Sequence, residues 1–117
     1  MTDSITLYHN PRCSKSRAAL ALLEEAGASV DVVLYLDNPP SRATLAQLVG
    51  QLGIAPEALV RRGEDLFKTL YQGKTLDDDA WLDALATHPR LIERPIAVRG
   101  TRAVIGRPPE TVLALLD

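Results

Sequence analysis

The only cysteine of the chain, Cys13, lies where two structural patterns meet. The apolar run from Ile5 to Tyr8 predicts a strand that ends shortly before it, and a helical pattern begins at Ser14. At the start of a helix, unpaired backbone N–H groups and the positive end of the helix dipole both favour an anion. They therefore favour the thiolate, which is the attacking form of the thiol. We interpret Cys13 as a nucleophile.

Size and composition exclude several classes of protein. The 117 residues, 46% of them apolar, are enough for one domain spanning 1–117 with a core that needs no disulfides. A single cysteine cannot form an internal disulfide, which excludes a stapled secreted scaffold. The chain shows no charged-then-apolar leader and no apolar run long enough for a membrane span. We therefore expect a cytoplasmic protein that does not bind membranes.

The charged residues favour small anions over nucleic acid. The formal net charge is −2, whereas nucleic-acid binders usually carry a clear basic excess. Ten of the thirteen basic residues are arginine, whose planar fork binds oxyanions at two points, although an arginine-rich genome would produce the same bias. Two histidines and one cysteine are too few for a four-ligand structural zinc site, so we predict no metal.

The first third of the chain predicts a strand, a helix and a second strand. Apolar residues recur at helical spacing from Ser14 to Ala26, and Gly27 follows as a left-handed cap. The run from Val30 to Leu36 is rich in β-branched residues, which predicts a strand buried on both faces. This order predicts a parallel pair joined by a right-handed crossover.

The middle of the chain predicts four helical segments. They are a helix capped by Ser41 and ended by Gly53, a short helix from Pro56 to Arg61, a turn or two from Glu64 to Tyr71, and a helix capped by Asp77 and ended by Pro89. In the third of these, we expect Leu66, Phe67 and Leu70 to point inward.

The last part of the chain predicts a hairpin from Ile96 to Ile105, turning at Gly100, and a final helix opened by Pro108 and Pro109. The complete order of elements fits an α/β fold with a four-stranded mixed sheet, flanking helices and a helical insertion between strands 2 and 3. This is the thioredoxin-like layout.

Three segments, which together span most of the chain, resemble the glutaredoxin-coupled arsenate reductases of the ArsC type, a family with this fold. The opening resembles their active-site loop, the second segment their exit from strand 2, and the third their C-terminal half. The segments are Tyr8-His9-Asn10-Pro11-x-Cys13-x-x-Ser16-Arg17, then Tyr35-Leu36-x-Asn38-Pro39-Pro40-Ser41, then Arg94-Pro95-Ile96 with Gly106-Arg107-Pro108.

The resemblance implies roles for Cys13 and three arginines. Cys13 would attack the arsenic of arsenate or a similar oxyanion, which Arg61, Arg94 and Arg107 would bind. Arg62 leaves an ambiguity of one residue, and the preceding Ala-Leu-Val run favours Arg61. Without the resemblance, each arginine would be interpreted as a surface residue with its aliphatic stem on the core.

The resemblance also implies how the thiolate is stabilised. His9 would lie beside the thiol and lower its pKa, while Ser16 and Arg17 would hydrogen-bond and stabilise the thiolate. The bond between Arg94 and Pro95 would be cis, as in other thioredoxin-like folds.

No cofactor would be bound, and glutathione would serve as co-substrate. In the scheme that the resemblance implies, glutathione reduces the thiol-bound arsenate and leaves a mixed disulfide on Cys13, which glutaredoxin resolves. The absence of a second cysteine agrees with this use of an external thiol.

Two other functions stay open at this stage. A glutathione-dependent thiol-disulfide reductase on the same scaffold is favoured by Ser14-Lys15, which stands where arsenate reductases often carry Gly-Thr. An Spx-like regulator that binds RNA polymerase would share the fold. Spx-like proteins commonly use a Cys-x-x-Cys switch, whereas this chain has Cys13-x-x-Ser16.

Overall fold

A computed structural model of the chain describes residues 4–116. The chain, predicted as one domain, divides into two compact units. The first, which we call the sheet unit, comprises the described residues up to Asn38 and from Arg94 onward. The second, the helical unit, runs from Pro39 to Glu93 and is the insertion predicted between strands 2 and 3.

The sheet unit contains a four-stranded sheet with the strand order β2-β1-β3-β4. Strands β1 and β2 are parallel, whereas β3 pairs antiparallel with both β1 and β4. The predicted mixed sheet is therefore confirmed, and β1 lies at its centre. Its strands are β1 (Ile5–His9), β2 (Val30–Leu34), β3 (Ile96–Arg99) and β4 (Arg102–Ile105).

Helix α1 (Ser14–Glu25) connects the two parallel strands, and Gly27 follows it with φ 80°. The core of the sheet unit forms where the sheet packs against α1 and a 3₁₀ helix, Pro109–Leu116. It consists of Ile5 and Leu7 of β1, Ala97 of β3, Ala19 and Leu23 of α1, and Val112 and Leu115. Alternation of buried residues along β1 places one face of the strand on this core.

The prediction that the second strand is buried on both faces is wrong. Strand β2 lies at the edge of the sheet, and Val32 and Leu34 are 44% and 38% exposed. The strand ends at Leu34 because the carbonyl of that residue accepts hydrogen bonds from the backbone N–H groups of Asp37 and Asn38, at 3.0 and 2.9 Å. An apolar run does not distinguish a central strand from an edge strand, since both have the same composition.

The helical unit contains α2 (Arg42–Leu52), α3 (Asp65–Leu70), α4 (Asp78–Thr87) and two 3₁₀ helices, Pro56–Leu59 and Pro89–Leu91. Both predicted N-caps are confirmed. Ser41 accepts a hydrogen bond from the backbone N–H of Thr44, and Asp77 accepts one from Ala80. Side-chain oxygens satisfy these helix starts locally, which is why sequence predicts them well.

Two details of the helical unit differ from the prediction. The short helix ends at Leu59, before Arg61, because the chain there pairs in β fashion: Val60 bridges Ile92, and the N–H of Arg61 donates to the carbonyl of Leu91 at 2.7 Å. In α3, Phe67 is buried as predicted, but Leu70 is 37% exposed. A six-residue helix presents too few turns for spacing alone to identify its inner face.

Candidate active site

Cys13 is the N-cap residue of α1, with an extended backbone at φ −95° and ψ 122°. Its side chain is half-buried. The backbone N–H groups of Lys15 and Ser16, in the first turn of the helix, face the thiol and lower its pKa. These are donors that the helix itself leaves unpaired, so the helix start stabilises a negative sulfur.

Opposing influences set the pKa of Cys13, and the net result is a lowered value. Burial raises the pKa of the thiol, but the hydrogen bonds from Ser16 and Lys15 lower it, as do the charge of Arg94 and a hydrogen bond from the Arg94 side chain. The lowering groups outweigh burial because each interacts better with the thiolate than with the thiol. A lowered pKa and a half-buried position are the properties that a reactive thiol requires. The nucleophilic role of Cys13 stays a prediction.

The loop before Cys13 is held by hydrogen bonds to its own backbone. The carbonyl of Asn10 accepts the N–H of Cys13 at 3.0 Å, and the Asn10 side-chain oxygen accepts the N–H of Arg12 at 3.0 Å. Nη1 of Arg17 donates to the carbonyl of Pro11 at 2.8 Å. Arg17 thus holds the loop that leads to Cys13, and its role in stabilising the thiolate, which the resemblance implies, stays a prediction.

His9 and Ser16 form a buried pair beneath this loop. Nδ1 of His9 lies 2.7 Å from Oγ of Ser16, which also accepts the N–H of Asn10 at 3.0 Å. Burial lowers the pKa of His9, and the charge of Arg17 lowers it further, so both favour the neutral ring. The backbone of Ser16 therefore faces the thiol, while its side chain is hydrogen-bonded to His9 and to the N–H of Asn10.

Ser16→Ala is expected to destabilise the fold by about 1–3 kcal/mol, because it leaves His9 and the Asn10 N–H without their partner in a buried setting. The pKa of Cys13 should change little, since the alanine keeps the backbone N–H. Urea denaturation and thiol titration measure the two effects. Ser14→Ala, at an exposed position of the same helix, is the control. An unchanged unfolding midpoint in Ser16→Ala would contradict this assignment.

Arg94, which lies just before β3 in the sequence, acts on the thiol of Cys13. Its guanidinium lowers the pKa of Cys13, and its Nε is buried without a hydrogen-bond partner among residues 4–116. Arg107 lies next to it, since Nη1 of Arg107 is 3.3 Å from the carbonyl oxygen of Arg94. The peptide bonds Arg94–Pro95 and Arg107–Pro108 are both cis. Two of the three predicted oxyanion-binding arginines are thus brought together.

Gly106 packs closely against the proline that follows Arg94. Its N–H donates to the carbonyl of Pro95 at 2.8 Å, and a Cβ at this position would lie 2.8 Å from Cγ of Pro95 and 3.0 Å from Cγ1 of Val112. Real Cβ atoms are essentially never found so close to another heavy atom. A glycine is therefore required for the two arginine-bearing segments to approach each other.

Gly106→Ala is expected to destabilise the fold by about 1–3 kcal/mol through overpacking. Gly50→Ala is the matched control, because Gly50 lies in α2 with open space around it. Alanine there should stabilise the fold by about 0.5–1 kcal/mol through helix propensity. Urea denaturation measures the free energy of unfolding of both variants. The same change, glycine to alanine, should lower it at position 106 and raise it at position 50. Equal stabilities would show that the contact with Pro95 imposes no constraint.

Arg61, the third predicted oxyanion-binding residue, belongs to the helical unit. Its Nη1 lies 2.9 Å from a carboxylate oxygen of Glu64, and its Nε lies 3.6 Å from one of Glu93. Its neighbour Arg62 pairs with Glu57 and lies 5.3 Å from the centre of the Phe67 ring. The side chain of Arg61 is more buried than that of Arg62. The oxyanion-binding role of Arg61 stays a prediction.

Three contributors to the site had no role assigned to them from the sequence. Asn10, Lys15 and Gly106 act mainly through backbone groups or through the lack of a side chain. The Asn10-Pro11 pair and the Gly106-Arg107-Pro108 triplet were signals, because asparagine, glycine and proline mark turns. No sequence signal distinguishes Lys15, since any residue at that position except proline supplies the same N–H.

Within residues 4–116, no group of three histidine, cysteine, aspartate or glutamate side chains could hold a metal ion. The helices described in the same range are all too short or too polar to cross a membrane.

A thiol at the start of the helix after a central strand, in a mixed sheet whose third strand follows a cis proline, defines a thioredoxin-like thiol protein. The chain belongs to the ArsC family, whose sequence profile matches residues 8–115.

Similar proteins cover nearly the full length. An arsenate reductase of Neisseria meningitidis serogroup A is 48% identical, with 96% of this chain and 97% of the relative aligned. An arsenate reductase of Escherichia coli is 39% identical, over 98% of this chain and 82% of the relative. The solved structure of an arsenate reductase from Vibrio cholerae has a TM-score of 0.93 at 48% identity, covering 98% and 99% of the two chains.

Proposed function

We propose that this protein is an arsenate reductase in which Cys13 is the nucleophile. The observation that carries the proposal is the contact between Cys13 and Arg94. The guanidinium of Arg94 lowers the pKa of the Cys13 thiol, and its Nε is buried without a partner. That arginine can stabilise the thiolate and bind an oxyanion with its remaining donors. The relatives named arsenate reductase support arsenate as the oxyanion.

The arginines address the main obstacle to this reaction. Arsenate is mostly a dianion near neutral pH, so a thiolate that approaches it meets like-charge repulsion. Arg94 places positive charge at the thiol, and Arg107 lies next to Arg94. Charge-assisted hydrogen bonds to an oxyanion contribute about 1.5–3 kcal/mol each. We include Arg61 as a third ligand on the strength of the family resemblance.

The reduction of arsenate to arsenite requires one external thiol, that of glutathione. Cys13 displaces one oxygen of arsenate as water and forms a sulfur–arsenic bond. The glutathione thiolate then attacks the Cys13 sulfur, and the sulfur–arsenic bond breaks with its electron pair left on arsenic, which takes arsenic from +5 to +3 while the two sulfurs form a disulfide. Arsenite leaves, and Cys13 remains in a mixed disulfide with glutathione. A glutaredoxin thiol takes the glutathionyl group and restores Cys13. We place the reaction in the cytoplasm, where glutathione is kept reduced.

The test is arsenate-dependent oxidation of NADPH in the presence of glutathione, glutaredoxin and glutathione reductase. We expect saturable turnover that disappears when either glutathione or glutaredoxin is omitted. Turnover with thioredoxin in place of both would overturn the coupling and leave the arsenate step intact.

A second candidate is a glutathione-dependent thiol-disulfide reductase. The half-buried, activated Cys13 favours it, because such a thiol attacks disulfides as well as oxyanions. Turnover of glutathione mixed disulfides without any turnover of arsenate would select this function. The buried, unpartnered Nε of Arg94 favours the oxyanion, since disulfide exchange requires no anion site.

A further inference from the structure

A cleft with a volume of about 340 Å³ opens beside the loop that leads to Cys13. One wall is the run His9-Asn10-Pro11-Arg12, and the other is the end of β2 and the turn after it, with Leu34, Leu36 and Asp37. All these residues belong to the sheet unit. Sites for small molecules typically have volumes of about 300–1,000 Å³, so the cleft suits a small ligand.

The walls of the cleft combine apolar surface with opposite charges. Leu34 and Leu36 are 38% and 40% exposed and supply the apolar surface of the cleft. Arg12 and Asp37 are exposed, and the ion pairs of the described residues all involve other side chains. One cationic and one anionic group in the same cleft are therefore available to a ligand.

A second cavity, in the helical unit, provides a contrast. It also carries one acidic and one basic residue, Glu57 and Arg62, but these pair with each other. Its charges are satisfied within the protein, so they offer less to a ligand. Of these two cavities, the cleft beside the Cys13 loop is the one that combines apolar surface, charges of both signs outside the ion pairs of the described residues, and a wall that ends at Arg12, the residue before Cys13.

We propose that this cleft binds the thiol co-substrate, glutathione, and this rests on the proposed function. Asp37 pairs with the ammonium group of glutathione, and Arg12 pairs with one of its carboxylates. Leu34 and Leu36 contact its aliphatic segments. Three features point to this occupant. The peptide carries both signs of charge, it is a small molecule, and its sulfur must bond to Cys13, the residue directly after Arg12.

The binding step can be measured without arsenate. The thiolate of Cys13 attacks glutathione disulfide, one sulfur–sulfur bond breaks, and the products are the Cys13–glutathione mixed disulfide and one glutathione thiolate. A neutral disulfide, hydroxyethyl disulfide, undergoes the same exchange but offers no charges to the cleft. The ratio of the two rates therefore reports recognition, because any change in the reactivity of Cys13 affects both.

The experiment compares wild type with Asp37→Asn and Arg12→Gln. Each variant is expected to lower the rate ratio about threefold, as befits a solvent-exposed ion pair. Asp31→Asn, on the exposed side of β2 and outside the cleft, should leave the ratio unchanged. N-acetylated glutathione disulfide lacks the ammonium group, so Asp37→Asn should not change its rate ratio. The ester of glutathione disulfide lacks the carboxylate, so Arg12→Gln should not change the ratio for that ligand.

The proposal is overturned if both variants leave the ratio at the wild-type value, or if the acetylated and esterified ligands show the same losses as glutathione disulfide. It is also overturned if Asp37→Asn slows only the removal of glutathione by glutaredoxin, because the cleft would then contact the protein partner. If both variants lower the rate ratio as expected but the wild type does not turn over arsenate, the proposed arsenate reaction is rejected and the cleft assignment stands.

Discussion

Cys13→Ser is expected to abolish arsenate reduction, with a loss of at least about a thousandfold in kcat/KM. The hydroxyl is far less acidic than the thiol, so the hydrogen bonds from Ser16 and Lys15 and the charge of Arg94 cannot hold it as an anion at neutral pH. It also cannot form the mixed disulfide that returns arsenic as arsenite. The coupled NADPH assay measures the loss.

Because the chain has a single cysteine, labelling experiments report on Cys13 alone. The thiolate fraction rises as pH rises through the pKa, and this pKa is lowered. The alkylation rate with iodoacetamide should therefore reach half its maximum below the ordinary thiol value of about 8.5. A midpoint at or above that value would contradict the activated thiolate, and residual turnover in Cys13→Ser would mean that another group performs the chemistry.

Arg94→Gln is expected to lower kcat/KM for arsenate by about a hundredfold. Two effects add. The variant loses the charge and the hydrogen bond that stabilise the Cys13 thiolate, so the pKa of Cys13 rises, and it loses the buried Nε that we assign to the oxyanion. The pH profile separates them, because raising the pH restores the thiolate without restoring the oxyanion ligand.

Arg94→Lys and Arg42→Gln are the controls for this prediction. Lysine keeps the positive charge without the planar fork, so we expect the pKa of Cys13 to stay low while KM for arsenate rises. Arg42→Gln removes the same charge from an exposed ion pair with Asp79 and Asp83 and should leave kcat/KM unchanged. If Arg94→Gln recovers full activity at high pH, its only role is thiolate stabilisation.

Local features of the fold could be predicted because neighbours in sequence decide them. Ser41 and Asp77 cap their own helices, and Gly100 takes a positive φ at its hairpin turn. The errors occurred where a distant segment decides. The pairing of Val60 with Ile92 ends the short helix early, and the edge position of β2 exposes Val32.

The candidate site also combines features that neighbours in sequence decide with features that distant segments decide. By itself, the sequence determined that Cys13 follows a strand and opens a helix, because a short apolar run and a helical periodicity meet there. Those patterns depend on adjacent residues, so they also determined that backbone N–H groups would face the thiol.

Only the tertiary structure decided which side chains complete the site. Arg94 reaches Cys13 because β3 lies beside β1, and Gly106 allows the segment of Arg107 to pack against Pro95. The cleft exists because the turn after β2 lies next to the loop before Cys13. Sequence patterns record the period of an element and its caps, whereas the pairing of strands distant in sequence decides which residues meet.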